Sequence, residues 1–154
     1  MRKVLLPLLA SIAVASPAMA NEARVEARGG VFWADGYTQD SYGVAAGYDF
    51  DLGETLFAGA EISADKIAAT GTKVAFGLTG RAGVKTGDAG KLYVASGYTT
   101  ETCSNCDNDS VHLGAGYEHK FAGNLYGKAE YRHFFLDQNR PDGNAVVAGL
   151  GVKF

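Results

Sequence analysis

Apolar and polar residues alternate with a period of two along most of this chain. In the last segment one parity is entirely apolar: Val146, Ala148, Leu150, Val152 and Phe154. The other parity is mostly glycine and small residues, and it ends at Lys153. Successive side chains of a strand point to opposite faces, so this period indicates a strand with one continuous apolar face. The pattern restricts the chain to an all-β fold.

The alternation recurs in about eight segments, each close to the ~9–11 residues that a tilted transmembrane strand needs. Their spans are 23–33, 41–51, 55–64, 72–86, 91–100, 110–121, 124–136 and 144–154. Short turns at 51–54, 86–90 and 122–124 alternate with longer polar connections at 34–40, 65–71, 101–109 and 137–143. This rhythm is typical of outer-membrane barrels with tight periplasmic turns and larger external loops. We expect an eight-stranded antiparallel transmembrane β-barrel of up-and-down meander topology, with both termini on the periplasmic side.

The N-terminus has the pattern of a secretory signal peptide. Arg2 and Lys3 precede an apolar run over 4–14, and the small-residue triplet Ala18-Met19-Ala20 follows Pro17. The run is too short to span a membrane as a helix. We expect cleavage after Ala20, which divides the chain into a signal peptide at 1–20 and a barrel domain at 21–154. The formal net charge of −3 gives no indication of nucleic-acid binding.

Alternation alone fits either a membrane barrel or a soluble eight-stranded barrel of the lipocalin kind. The polar parity favours the membrane barrel, because it consists of glycine and single charges instead of the long flexible residues of a solvated surface. In a lumen this narrow, charged side chains need small neighbours and opposite partners. We therefore predict a charge network that fills the lumen. Its members are Arg24, Glu26, Arg28, Asp49, Glu61, Arg81, Glu118, Lys128, Glu130, Arg132 and Lys153.

Aromatic residues gather near the predicted strand ends, as expected of girdles at the two membrane interfaces. The periplasmic set is Tyr48, Phe50, Tyr117, Phe121 and Phe154, and the external set is Trp33, Tyr42, Tyr98 and Phe135.

The chain resembles the small outer-membrane β-barrel superfamily, which includes the OmpA transmembrane domain, OmpX and the opacity-type, porin-like surface proteins. The resemblance rests on Gly-aromatic strands such as 45–48 and 114–117, on Lys128-Ala129-Glu130-Tyr131-Arg132, and on the closing segment 149–154. It implies an outer-membrane location, contact with outer-membrane lipids and lipopolysaccharide, and an assembly signal at Phe154 read by the outer-membrane assembly machinery. It implies no particular activity, because members do unrelated work on one frame.

Cys103 and Cys106 are separated by two residues in the predicted third external loop. In an exported protein we expect a local disulfide that closes the loop tip. Two cysteines are too few for a four-cysteine zinc site, and Asp107-Asn108-Asp109 is too short for an EF-hand loop. We expect no metal and no cofactor.

His112 is the histidine that bears on catalysis, since small outer-membrane barrels include lipid A deacylases and palmitoyl transferases. It shares a strand face with Ser110 and Glu118, but the deacylase pattern of His, one residue, then Ser is absent. His119 and His133 fall on the lipid parity near strand ends. We expect a non-enzymatic, monomeric surface barrel with a structural role in the envelope. The alternatives are a narrow porin-like channel for ions or small solutes and, more remotely, a lipid A-modifying enzyme.

Overall fold

A computed structural model describes residues 21–104, 109–136 and 141–154, so the expected signal peptide and its cleavage after Ala20 lie outside the described residues. The strands are β1 (Glu22–Ala34), β2 (Tyr37–Leu52), β3 (Leu56–Ile67), β4 (Ala75–Thr86), β5 (Gly90–Thr99), β6 (Ser110–Lys120), β7 (Leu125–Leu136) and β8 (Gly143–Lys153). Each strand pairs antiparallel with the next, and β8 pairs with β1 to close the barrel. The predicted eight-stranded meander is confirmed.

The first connection differs from the prediction of a loop over 34–40. Ala34 pairs with Tyr37, which leaves a two-residue turn of Asp35 and Gly36 with positive φ angles of 34° and 81°. Asp-Gly is a preferred sequence for such a type I′ hairpin turn, because both positions require positive φ. The prediction of a long loop was wrong because the polar residues Thr38 and Asp40 continue the strand beyond the apolar part of the barrel.

The second connection is displaced toward the C-terminus, because β3 continues to Ile67 and β4 begins at Ala75. The Thr72 hydroxyl donates to the carbonyl oxygens of Ile67 and Ala69 at 2.7 and 2.8 Å, which holds the turn. We name the end with these connections the loop end, and the opposite end, with both termini of the barrel and the short turns, the turn end. Within the described residues no helix is long and apolar enough to cross a membrane.

The two faces of each strand have opposite character, as β4 illustrates. Phe76 and Leu78 point outward and are 62% and 59% exposed, whereas Thr79 and Arg81 point inward and are 3% and 4% exposed. An outward belt of apolar side chains is far larger than the apolar patches of soluble monomers, and it fits a lipid environment. The barrel therefore has an apolar exterior and a polar, charged interior.

Aromatic side chains mark both rims of this belt. Tyr48 packs edge-to-face on Phe50 at the turn end, with ring centroids 4.9 Å apart. Trp33 lies 6.4 Å from Tyr131 at the loop end. Phe154 exchanges two backbone hydrogen bonds with Ala23, at 2.8 and 3.2 Å, and its side chain is 73% exposed. The last residue of the sequence is thus held by the first strand while its ring points outward.

Candidate functional site in the barrel lumen

Six charged residues form a closed ring of alternating sign near the turn end. In order around the ring they are Arg81, Asp49, Lys91, Glu22, Lys153 and Glu118. They come from six different strands, β1, β2, β4, β5, β6 and β8. We call this set the turn-end ring. Each member binds the member before it and the member after it, so the three positive and three negative groups neutralise one another.

The contacts of the ring are short and directed. Arg81 donates from Nε to Asp49 Oδ1 at 2.9 Å and from Nη1 to Glu118 Oε2 at 2.9 Å. Lys91 Nζ lies 2.8 Å from Asp49 Oδ2 and 2.6 Å from Glu22 Oε1. Charged hydrogen bonds of this length are among the strongest in proteins, and they gain strength when water is excluded.

Aromatic rings support the cations of the turn-end ring. The Arg81 guanidinium carbon lies 4.9 Å from the centroid of Tyr93, and Lys91 Nζ lies 4.8 Å from that of Phe57. Lys153 Nζ lies 5.1 Å from the centroid of Tyr126. The negative face of an aromatic ring attracts a cation, most strongly where both are desolvated. These three aromatic residues are buried in the lumen, where they also fill space between the charges.

Glu61 is the centre of a second group, nearer the middle of the barrel. Its carboxylate oxygens lie 2.7 Å from Arg24 Nη1, 2.7 Å from Arg28 Nη1, 3.0 Å from Lys128 Nζ and 3.2 Å from Arg132 Nη2. We call the group the central cluster. Its four positive and four negative members are Arg24, Arg28, Lys128, Arg132, Glu26, Glu61, Asp65 and Glu130.

All members of the central cluster come from β1, β3 and β7. Arg28 binds Asp65, Arg132 binds Glu130, and Lys128 Nζ lies 2.7 Å from Glu26 Oε1. Two tyrosine hydroxyls also bind these carboxylates, since Tyr93 donates to Glu130 and Tyr126 donates to Glu26, both at 2.7 Å. Buried charges need such partners, because an unpaired charge costs several kcal/mol in a low-dielectric interior.

Glycine makes room for these long side chains on the facing strands. A Cβ atom on Gly59 would lie 2.2 Å from Asp49 Oδ1, and one on Gly116 would lie 2.5 Å from the Tyr93 hydroxyl. A Cβ on Gly47 would lie 2.5 Å from Arg24 Nη2. The glycines of the polar parity therefore leave space in the lumen, and the long charged side chains extend into that space.

The eleven residues that the sequence assigns to the lumen are all buried and all lie in the turn-end ring or the central cluster. Glu22, Asp65 and Lys91 complete the pairing and were not predicted. Lys91 shares parity with the buried Ala95 on β5, so the period-two pattern could have assigned Lys91 to the lumen. Tyr93 and Tyr126 also lie on the inward parity and were not predicted to bind the charged residues.

Glu22, Asp49 and Glu118 are close enough together to hold a metal ion. Each of the three already binds two of the cations Arg81, Lys91 and Lys153 in the turn-end ring. The ring therefore has no surplus negative charge with which to attract a divalent cation, and this group fits a set of ion pairs better than a metal site.

His112 lies fully buried between two threonine hydroxyls. Its Nε2 is 3.1 Å from Thr79 Oγ1, and its Nδ1 is 3.2 Å from Thr99 Oγ1. Glu118 is bound by Arg81 and Lys153 of the turn-end ring. Both ring nitrogens of His112 are thus occupied, and neither serves as a base for Ser110. Because nucleophilic catalysis by serine needs such a base, these three residues do not form a triad.

The other two histidines lie at opposite rims of the barrel. His119 Nδ1 is 3.2 Å from the Tyr117 hydroxyl, and His133 Nδ1 is 2.9 Å from Asn144 Oδ1. In the third loop, Cys103 pairs with Thr72 in an isolated antiparallel β-bridge, while Cys106 lies outside the described residues. The disulfide between Cys103 and Cys106 stays a prediction.

The model of the family described as outer membrane protein beta-barrel domain matches residues 5–154. No curated protein matches the chain. Among solved structures, the N-terminal β-barrel domain of Pseudomonas aeruginosa OprF is 20% identical, covers 89% of this chain and 100% of its own, and superposes with a TM-score of 0.66.

Two further structures share the fold. Ail, the attachment invasion locus protein of Yersinia pestis, crystallised with the heparin analogue sucrose octasulfate, is 14% identical over 87% of this chain and 97% of its own, with a TM-score of 0.61. The outer membrane enzyme PagL is 13% identical over 84% of this chain and 98% of its own, with a TM-score of 0.58. At such identities the similarity concerns the fold alone.

Proposed function

Because this chain belongs to the outer membrane protein β-barrel domain family and is located in the outer membrane, we propose that it is a closed, non-enzymatic barrel with a structural role in the cell envelope. The lumen is filled by side chains, and the loops at the external end are the part displayed to the surroundings. Relatives with this fold include an attachment protein and an enzyme, so the fold alone does not choose among roles.

The turn-end ring is the observation that carries the proposal. Its side chains reach across the lumen from six strands, and Asp49, Arg81 and Glu118 have side-chain exposures of 0%, 2% and 1%. A solute could pass only by separating ion pairs, among them the almost completely buried pairs of Arg81 with Asp49 and Glu118, and breaking one such buried pair costs about 3–5 kcal/mol. A barrel of eight strands is narrow enough to be filled by its own side chains.

In the part of the chain that the structure describes, the lack of a hydrogen-bonded serine–histidine pair supports the non-enzymatic assignment. His112 is the buried histidine of the lumen, and its two nitrogens bind Thr79 and Thr99. Among the described residues no serine hydroxyl forms a hydrogen bond with a histidine nitrogen. The proposed partners are outer-membrane lipids and lipopolysaccharide around the apolar belt, with the assembly machinery reading Phe154, and the barrel acts as a monomer.

A deletion strain tests the proposed role in the living envelope. We expect the deletion to increase entry of large antibiotics and detergents and to leave the uptake of small solutes unchanged. The wild-type gene should restore the barrier. A deletion that instead slowed the uptake of small solutes, with an intact barrier to detergents, would contradict the structural role and support the narrow channel. A change in lipid A mass on expression, lost in His112→Ala, would support the enzyme.

A further inference from the structure

The inward-facing residues change from charged to apolar along the axis of the lumen. On β1 the charged Arg28 is followed, on the same parity and toward the loop end, by Phe32. On β7 the charged Arg132 is followed in the same way by Phe134. Arg28 and Arg132 belong to the central cluster, so the change takes place just above that cluster. On these strands the wall of the lumen is therefore apolar toward the loop end.

A cavity of about 510 Å³ lies at this level of the barrel. Arg28 and Arg132 line its inner end, and Asp35 and Tyr37 of the first hairpin line its outer end. The pairing of β1 with both of its neighbours continues past Phe32, so the barrel wall is closed there and the cavity faces the loop end. Small-molecule sites in proteins usually measure about 300–1,000 Å³. The cavity therefore has the volume of a ligand site.

The wall between the two ends of the cavity is largely apolar. Phe32 and Phe134 pack edge-to-face there, with ring centroids 5.8 Å apart and an angle of 68° between the rings. Ala75 of β4 and Ala145 and Val147 of β8 continue this surface, and all three are buried. Barrels that hold water have a polar lumen, whereas an apolar cavity takes up apolar molecules in preference to water. The wall therefore favours an apolar occupant.

The charges around the cavity are paired, so they favour a ligand without charge. At the inner end Arg28 binds Asp65, and Arg132 binds two carboxylates of the central cluster. Among the described residues, the outer part of the lining has one acid and one base, Asp35 and Lys66. A charged ligand would leave water without gaining a free counter-charge, which disfavours its binding. An uncharged ligand does not meet this cost.

We propose that this cavity binds a small, uncharged, largely apolar molecule that enters from the loop end and packs against Phe32, Phe134 and Val147. The inference is independent of the structural role proposed above. The ion pairs of the turn-end ring and the central cluster lie below the cavity, so a filled lumen and an occupied cavity can each be present without the other.

Octanol is the probe that tests the site, with the full chain in lipid nanodiscs and backbone amide NMR shifts as the readout. We expect saturable shifts at Phe134, Ala145 and Val147, with affinities referred to the free aqueous concentration of the probe. Octanoate and octylammonium have the same apolar chain and carry a negative and a positive charge. Each should bind about tenfold more weakly than octanol or worse, because the paired charges of the cavity offer neither of them a free counter-charge.

Neighbouring residues of β8 provide matched variants, since Val147 lines the cavity and Val146 points outward and is exposed. Val147→Thr keeps the shape of the side chain and adds a hydroxyl to the wall, so it should weaken octanol binding by about threefold or more. Val146→Thr should leave the affinity unchanged. Ala145→Phe, whose ring takes the volume of the ligand, should weaken binding by about tenfold or more. Its control is Ala148→Phe on the exposed face, and the valine pair carries the test if Ala145→Phe does not fold.

Equal octanol affinities in the wild type and the cavity variants would overturn the proposal, because octanol would then bind elsewhere or only partition into the lipid. Non-saturable shifts confined to outward-facing residues would have the same meaning. Octanoate or octylammonium binding as tightly as octanol would overturn the assignment of an uncharged ligand. These results leave the envelope phenotype of a deletion strain untouched, so the two proposals fail separately.

Discussion

Arg81 and Asp49 are joined by two parallel hydrogen bonds, from Nε to Oδ1 at 2.9 Å and from Nη2 to Oδ2 at 2.5 Å. Both side chains are almost completely buried, so water cannot replace either partner. Arg81 also binds Glu118, and Asp49 also binds Lys91, so each member of this pair has a second partner in the turn-end ring.

Arg81→Gln should lower the free energy of unfolding by about 3–5 kcal/mol, because it leaves Asp49 and Glu118 with one cation partner fewer in a dry interior. Urea unfolding in lipid vesicles, followed by the loss of the β signal in circular dichroism, measures this. Lys85→Gln is the matched control on the same strand, since Lys85 also pairs with a carboxylate, Asp51 at 2.5 Å, but is 25% exposed. It should cost at most about 1 kcal/mol. Equal costs for the two variants would contradict the special position of Arg81.

Glu61→Gln should destabilise the barrel by several kcal/mol, since Arg24, Arg28, Lys128 and Arg132 all bind this carboxylate. The double variant Glu61→Gln with Lys128→Met should be more stable than the sum of the two single changes predicts, by about 1 kcal/mol or more. A double-mutant cycle on unfolding free energies measures this coupling. Simple additivity would mean that the two side chains do not share a network.

Tyr93→Phe should lower the free energy of unfolding by about 1.5–3 kcal/mol, because Glu130 loses a buried hydrogen bond to its carboxylate. Tyr131→Phe removes a hydroxyl of the same kind that donates to Asn144 on the outside of β7, and it should cost less than about 1 kcal/mol. Thermal unfolding of the two variants in the same lipid gives the comparison. A larger loss for Tyr131→Phe would contradict the account of the lumen.

Gly59→Ala should destabilise the barrel by about 1–3 kcal/mol through overpacking. Its new Cβ would lie 2.7 Å from the Tyr48 backbone oxygen as well as against Asp49, and the backbone cannot give way cheaply. Gly80→Ala is the control, because that Cβ would point outward and meet nothing closer than 3.8 Å. We expect Gly80→Ala to be neutral or slightly stabilising in an unfolding titration. A neutral Gly59→Ala would show that the lumen has room to spare.

The period of two accounts for most of what the sequence could predict about the fold. It predicted the number of strands and their antiparallel order, and it assigned residues such as Glu61 and Arg132 to the inward parity. It did not predict the hairpin at Asp35 and Gly36, where the turn sequence was more informative than the polarity of the residues that follow it. When polarity alone is considered, polar residues at the end of a strand are wrongly predicted to form a loop.

The turn-end ring could not be predicted from parity. Arg81 and Glu118 lie 37 positions apart, and they meet only because the stagger of the closed barrel brings them to one level. Lys91 stood at the edge of its predicted segment, where a lysine resembles a turn residue. The roles of Tyr93 and Tyr126 could not be predicted, because aromatic residues in a membrane barrel are expected at the lipid interface, whereas here their hydroxyls bind buried carboxylates.

Single-channel recording in planar lipid bilayers tests the central claim, that ion pairs close the lumen. The purified wild-type protein should produce no reproducible conductance steps over a range of voltages, because we propose that the turn-end ring and the central cluster fill the lumen. The folded state of each sample is checked by its mobility on unheated gels. Steady, uniform conductance steps from the wild-type barrel would contradict the account and establish the narrow channel in its place.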